Sequence, residues 1–296
     1  MVLEQLYDVE WLKEKPFYGF VLGLAYAMFG IGTAILIFPN DPALIAVTIT
    51  SLLLMPSLYK ISKIEEILEG NEPSFSIKKF YYDNKDFFKI YLAIFFGILI
   101  AFSIMSMMLP TLATNHLFKE QLDVLKGNAA GSSTLNTITG NAHFSTSLFK
   151  DLINNNMRVM LLCFALSLVI GNGAIFLITW NASVWGTIFG NLAKTAAMGV
   201  DKNPFIYFAL IIISVLPHMI LEISSYIFAT ISGSVISQGI SKEKAFSSKL
   251  ANIIVYNIVL LAVAFAFLVL ASLVETYVLG NFQTYQIIIW QGYMGQ

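Results

Sequence analysis

The sequence predicts an all-α fold, a polytopic bundle of about seven membrane-spanning helices. Hydrophobic residues make up 57% of the 296 positions and charged residues only 12%, where a soluble domain carries roughly 25% charge. Long runs contain no Asp, Glu, Lys or Arg, and about 20 apolar residues are what one crossing of the hydrocarbon core requires. Lysines gather between alternate runs, the pattern of a chain that crosses repeatedly. A water-soluble globule is excluded.

The charge-free runs are Pro16 to Asn40, Pro42 to Tyr59, Ile90 to Phe118, Val159 to Ala193, Asn203 to Leu221, Ile223 to Ser241 and Leu250 to Val274. Trimmed at Pro and Gly breaks, they predict spans near 17–38, 43–59, 88–109, 157–179, 182–198, 204–231 and 250–274. Gly186, Gly190, Asn191 and Lys194 interrupt the fifth, so its alternative is a re-entrant helix packed inside protein, leaving six crossings. The first run follows an acidic arm (Glu4, Asp8, Glu10, Glu14) and ends in Pro-Asn-Asp-Pro rather than a small-residue cleavage site. It is expected to stay in the mature chain.

This division gives an N-terminal arm and helical hairpin (1–59), a cytoplasmic link (60–89) and a main membrane bundle (90–296) with an external loop at 110–156. The link opens with Ile61, Ile64, Ile67 and Leu68 against Lys63, Glu65, Glu66 and Glu69, an amphipathic pattern expected to lie along the cytoplasmic face. The external loop opens with a short amphipathic helix through Leu117, Phe118, Gln121, Leu122 and Leu125. From Gly127 to Thr146 it is rich in Gly, Ser, Thr and Asn, read as a mobile tip or as a docking surface.

Orientation follows the lysines. Lys13 and Lys15, Lys60 to Lys89, and Lys242 to Lys249 together hold eleven of the 17 basic residues. Seven crossings with a cytoplasmic N-terminus put all three clusters inside and the tail, which has no Lys or Arg, outside. The expected location is therefore the cell membrane, with membrane lipids and protein partners in the membrane as its contacts.

A net charge of -1 offers no basic excess for phosphate binding, so nucleic acid is not an expected partner. The single cysteine, Cys163, forms no intrachain disulfide. A catalytic zinc needs three protein ligands, and His218 with Glu222 supplies at most two, His116 and His143 lying in the external loop. No catalytic motif or cofactor-binding motif is present. The expectation is no enzyme activity and no cofactor.

Ionisable groups at bilayer depth are costly and are functional candidates by default. Ser214, His218, Glu222 and Tyr226 recur every fourth residue in the sixth span, a spacing that makes a polar stripe on a helix. Pro217 stands beside it and frees a carbonyl, with a kink expected. The simpler alternative is that His218 and Glu222 hydrogen-bond each other and fix the bundle. Asn172 lies between Gly171 and Gly173; Asn181 opens the next segment, where Gly186 and Gly190 permit close helix contact. Arg158, the only arginine, follows Asn155 and Asn156 and is a candidate contact for lipid phosphate or an interfacial anchor.

Asn155-Asn156, Gly171 with Gly173, Asn181 with Gly186 and Gly190, and Pro217-His218 with Glu222 together resemble the stage II sporulation protein M family over about residues 145–240. Met219 stands where that family usually has Gly, and Ala182 follows Asn181 where Gly is common. The resemblance implies an integral membrane protein without catalytic activity. Members in spore-forming bacteria are membrane scaffolds of a peptidoglycan-degrading engulfment machine.

Two functions follow as expectations: a scaffold or membrane component of a cell-envelope complex, or a transporter or channel for ions, small solutes or lipids along the stripe. A water-accessible pocket at His218 favours transport; a dry, packed stripe favours the scaffold. For topology, cysteines placed in 127–146 and 281–296 should react with an impermeant label from outside, and those in 63–85 and 242–249 should not. External labelling of 242–249 would show an odd number of crossings before it, with the fifth segment not spanning.

Overall fold

The computed structural model describes residues 15–71, 77–124, 146–199, 201–281 and 287. Among them the chain is all helix, with seven helices long and apolar enough to cross a membrane. They are α1 (Phe17–Ile37), α2 (Pro42–Gly70), α3 (Ile77–Met108), α4 (Thr146–Ile170), α5 (Ile175–Met198), α6 (Pro204–Lys242) and α7 (Ser248–Asn281). The arm before Lys15, most of the Gly127–Thr146 stretch, His143 and most of the C-terminal tail lie outside the described residues.

Helix starts follow local chemistry. Pro42 and Pro204 occupy the first turns of α2 and α6, where a missing N–H costs nothing. The Asn203 side chain accepts from Phe205 N at 2.9 Å and caps α6. Gly171 takes φ +68, a left-handed conformation that favours glycine, and a Cβ there would meet nothing within 4 Å. Conformation alone thus calls for glycine at this position, where α4 ends and a 3-10 turn (Asn172–Ala174) leads into α5.

Several boundaries differ from the sequence reading. The fourth and fifth spans, expected to part near residue 180, part at Gly171, and Asn181 sits inside α5 with its Nδ2 donating to Leu177 O at 2.8 Å. At 24 residues, α5 is a full-length helix; Gly186 and Gly190 seat it on α3 and Lys194 reaches Leu109 O just past the end of α3, so they do not shorten it. The expected external loop is helical at Thr111–Leu117, at 119–124 and again from Thr146. The sixth and seventh spans run on to Lys242 and Asn281.

The largest revision concerns 60–89. There α2 continues unbroken to Gly70 and α3 begins at Ile77. Glu65, Glu66 and Glu69 are buried, while Ile67 and Leu68 are exposed, the reverse of a helix lying on a membrane surface. The physical reason is partners. Lys242 Nζ of α6 meets Glu66 Oε2 at 2.7 Å, and Asn257 Nδ2 of α7 donates to Glu69 Oε2 at 2.5 Å, so the acids turn inward beside the buried Ile61, and only Ile67 and Leu68 of the four apolar residues turn out.

In the bundle, α3 lies between α1 and α5, while α6 packs against α7, α4, α5 and α2. Contact with α3 is made through glycines. A Cβ on Gly23 would stand 2.4 Å from Ile94 O, one on Gly97 2.1 Å from Phe20 O, and one on Gly186 2.4 Å from Leu99 O. Such close approach lets dispersion drive association where lipid removes the hydrophobic gain. Ser106 Oγ donates to Thr187 O at 3.0 Å across the α3–α5 seam, and Lys194 Nζ to Leu109 O.

Gly97→Ala should therefore cost about 1–3 kcal/mol by overpacking, read as a lower thermal midpoint in detergent. Gly32→Ala, whose added Cβ would meet nothing within 4 Å, should be neutral or gain about 0.5–1 kcal/mol from helix propensity.

Candidate functional site

Helix order sets two ends to the bundle: one carries the 37–42 and 198–204 connections, the other the 70–77, 170–175 and 242–248 connections. We call them the Asn203 end and the Gly171 end. Counting 1.5 Å per residue, His218 lies about 21 Å along α6 from the Asn203 end.

At that level α4, α5, α6 and α7 surround a cavity of about 230 Å³ lined by Leu152, Asn155, Asn156, Trp185, Phe189, Val215, His218, Met219, Glu222 and Glu275. Asn155 is exposed and stands at its rim, with its Nδ2 donating to Asn156 Oδ1 at 3.3 Å. Asn156, His218 and Glu222 are buried and Glu275 is half-buried. Asn156 Nδ2 and His218 Nδ1 are buried with hydrogen-bonding capacity unused among the described residues. Two carboxyls and an imidazole thus share one space with amides and two aromatic walls.

The expected His218–Glu222 hydrogen bond is not formed. Glu222 Oε1 instead accepts from Tyr226 OH, one turn further along, at 2.7 Å. Ser214 Oγ returns to Leu210 O at 2.7 Å, satisfying its own helix. Pro217 is exposed on the outer side of α6 and does not line the cavity, and α6 runs through it unbroken.

The Asn and Gly candidates divide between the two ends. Asn155 and Asn156 belong to the cavity. Gly186 and Gly190 seat α5 on α3, with an added Cβ on Gly190 falling 2.6 Å from Ser103 O. Gly171, Asn172 and Gly173 form the turn at the Gly171 end, where Asn172 Oδ1 accepts from Ser62 Oγ at 2.8 Å and Tyr91 OH at 3.4 Å. Arg158 is exposed on α4, one turn from the cavity rim.

Glu275, Trp185 and Phe189 were missed by the sequence reading. Glu275 marked the end of a charge-free run and was taken as the edge of the membrane. Its signal lay in the helix period: Leu260, Ala264, Leu268 and Ala271 are fully buried, and the same three- and four-residue steps lead to 275. Among the described residues, no three His, Cys, Asp or Glu side chains are placed to hold a metal ion.

A bundle of this form, with lipid-facing apolar surfaces and a polar cavity between helices, defines a multi-pass membrane protein. A family model described as Stage II sporulation protein M matches residues 87–278. The chain belongs to that family. The matched stretch runs from α3 into α7 and contains every residue of the cavity. No curated protein and no solved structure matches the chain.

The cavity makes a direct prediction. His218→Cys should react with a small, impermeant thiol reagent added from the Asn203 side, and Glu275→Trp, which fills the space, should slow that reaction several-fold.

Proposed function

We propose that this protein is a non-enzymatic transporter or channel of the cell membrane, and that it takes a cation into the cavity at His218. The observation that carries the reading is the placement of Glu222 and Glu275 on one half-open cavity whose lining includes no lysine or arginine. Two carboxylates in a low-dielectric space repel each other, and a cation between them relieves both. In this reading the N-terminus is cytoplasmic and the C-terminus outside; the lysine clusters and the seven long helices among the described residues support it.

A scaffold of a cell-envelope complex, with the 110–156 loop as a docking surface for protein partners, is the second reading. The Tyr226–Glu222 hydrogen bond favours it, since a carboxyl satisfied within its own helix needs no cargo.

Liposomes holding the purified protein separate the two. With a voltage-sensitive dye, the protein should develop a potential as it dissipates an imposed sodium, potassium or proton gradient. Glu222→Gln and Glu275→Gln should each slow this by about tenfold or more, as expected when a membrane-buried charge site is neutralised, while the variants elute and melt as the parent does. Parent protein that dissipates none of the three gradients would overturn the transport reading and leave the scaffold.

A further inference from the structure

The polar stripe on α6 continues past Tyr226. Every fourth residue from Ser214 to Ser234 is polar: Ser214, His218, Glu222, Tyr226, Thr230 and Ser234, and all are buried. Five steps of four residues at 1.5 Å span about 30 Å, the thickness of the hydrocarbon core. Each step also turns the stripe by about 40° around the helix axis, so it faces the cavity at one end and the Gly171 turn at the other.

Parts of this course are hydrogen-bonded, and the buried Thr230 hydroxyl between them has unused hydrogen-bonding capacity. Tyr226 OH donates to Glu222 Oε1 at 2.7 Å and adjoins the Cys163 thiol of α4, which faces the Thr230 hydroxyl. Ser234 Oγ donates to Gly171 O at 3.1 Å. One residue on, Asn172 takes hydrogen bonds from Ser62 and Tyr91, and Tyr91 adjoins Glu65. Glu65 lies one turn from Glu69 on the α2 extension, at the far end of the bundle. The buried Ser167, Ser225 and Asn172 Nδ2 have unused hydrogen-bonding capacity beside this course, which is what holding a bridging water requires.

We infer that this ladder is a proton path from the Glu222–Glu275 cavity to Glu65 at the Gly171 end, and that the cation of the proposed function is a proton. The inference rests on the reading of the cavity as a cation's point of entry. A proton from the aqueous side bonds to the Glu222 carboxylate. As Glu222 passes it to the Tyr226 oxygen, the proton already on that oxygen leaves for the next acceptor toward Thr230. Each hydroxyl or bridging water gains one proton and loses one, and the Glu65 carboxylate receives the last and gives it up to water at the Gly171 end, which resets the path. Adjacent rungs, about 5–6 Å apart at their Cβ atoms, are within reach of one intervening water.

Proteoliposomes containing a trapped pH dye, with inward proton movement driven by potassium efflux through valinomycin, test the path. The parent should acidify the lumen. Tyr226→Phe and Thr230→Val, each removing one hydroxyl, should slow acidification by about tenfold or more, the usual size of a lost proton-transfer group. Ser224→Ala, whose hydroxyl is tied to Ile220 O at 2.5 Å off the ladder, should leave the rate unchanged. If Tyr226→Phe fails to fold, judged by elution and melting, Thr230→Val and Ser234→Ala carry the comparison. Acidification undiminished in the ladder variants would overturn the path. Passage of sodium or potassium without protons would overturn the inference and leave the cation reading standing; passage of none would remove both.

Discussion

A helix that carries a polar group every fourth residue cannot face lipid, and the arrangement of α6 follows from that constraint. An ionised side chain at the centre of a bilayer costs roughly 2.5–3.5 kcal/mol even on the mildest scales, and α6 presents a His and a Glu there. Enclosure by α4, α5, α7 and α2 removes the stripe from hydrocarbon. The enclosure needs close helix contact, and glycine supplies it: an added Cβ on Gly233 of α6 would sit 2.4 Å from Phe164 O of α4. On the other side of the bundle, Gly23, Gly97 and Gly186 perform the same service around α3. Polar interior and small-residue seams are thus two consequences of one requirement.

Much of this was legible in the sequence. The seven apolar runs and the stripe from Ser214 to Tyr226 emerge from spacing and charge alone, because runs this long and apolar cross a membrane as helices and any polar residue within them is costly; Asn155 and Asn156 enter through the family resemblance. What escaped was every site where a charge was taken for the edge of the membrane. Glu65, Glu66 and Glu69 looked like a solvated face, and Glu275 like the end of a span. In each case the helix ran on and the carboxyl turned inward, since its partners lie on helices distant in sequence: Lys242 and Asn257 for the α2 acids, the α6 stripe for Glu275. Charge counting along the chain does not register a partner 176 positions away. The Gly171 turn escaped for a different reason. Asn172 looked like a mid-span polar group because the flanking residues are as apolar as a helix core, and only the positive φ of Gly171 separates α4 from α5.

Length is the second determinant. At 29 and 39 residues, α2 and α6 are longer than one crossing needs, and both extend at the Gly171 end. There they form a polar knot that is buried except at Lys242. Glu66 pairs with Lys242, Glu69 with Asn257, and Asn172 with Ser62 and Tyr91. These contacts bind the N-terminal hairpin to the last two helices, so a hairpin outside the stretch matched by the family model still closes the base of the bundle that stretch forms.

The two ends therefore differ in kind. Near the Asn203 end the bundle holds a half-open cavity with unused hydrogen-bonding groups, and at the Gly171 end it is sealed by an ion pair and side-chain hydrogen bonds. A hydrated sodium ion or an organic solute leaving by the second end would have to part Glu66 from Lys242 and Asn257 from Glu69 together. Glu66 is buried although Lys242 is exposed, so parting them strands a carboxylate in the interior, and such a passage demands a rearrangement. A proton requires none. In the proposed path it moves by exchange of O–H bonds among groups already in place, and the knot offers carboxyl oxygens that can accept it. The sealed end thus argues for the smallest cargo independently of the ladder that leads to it.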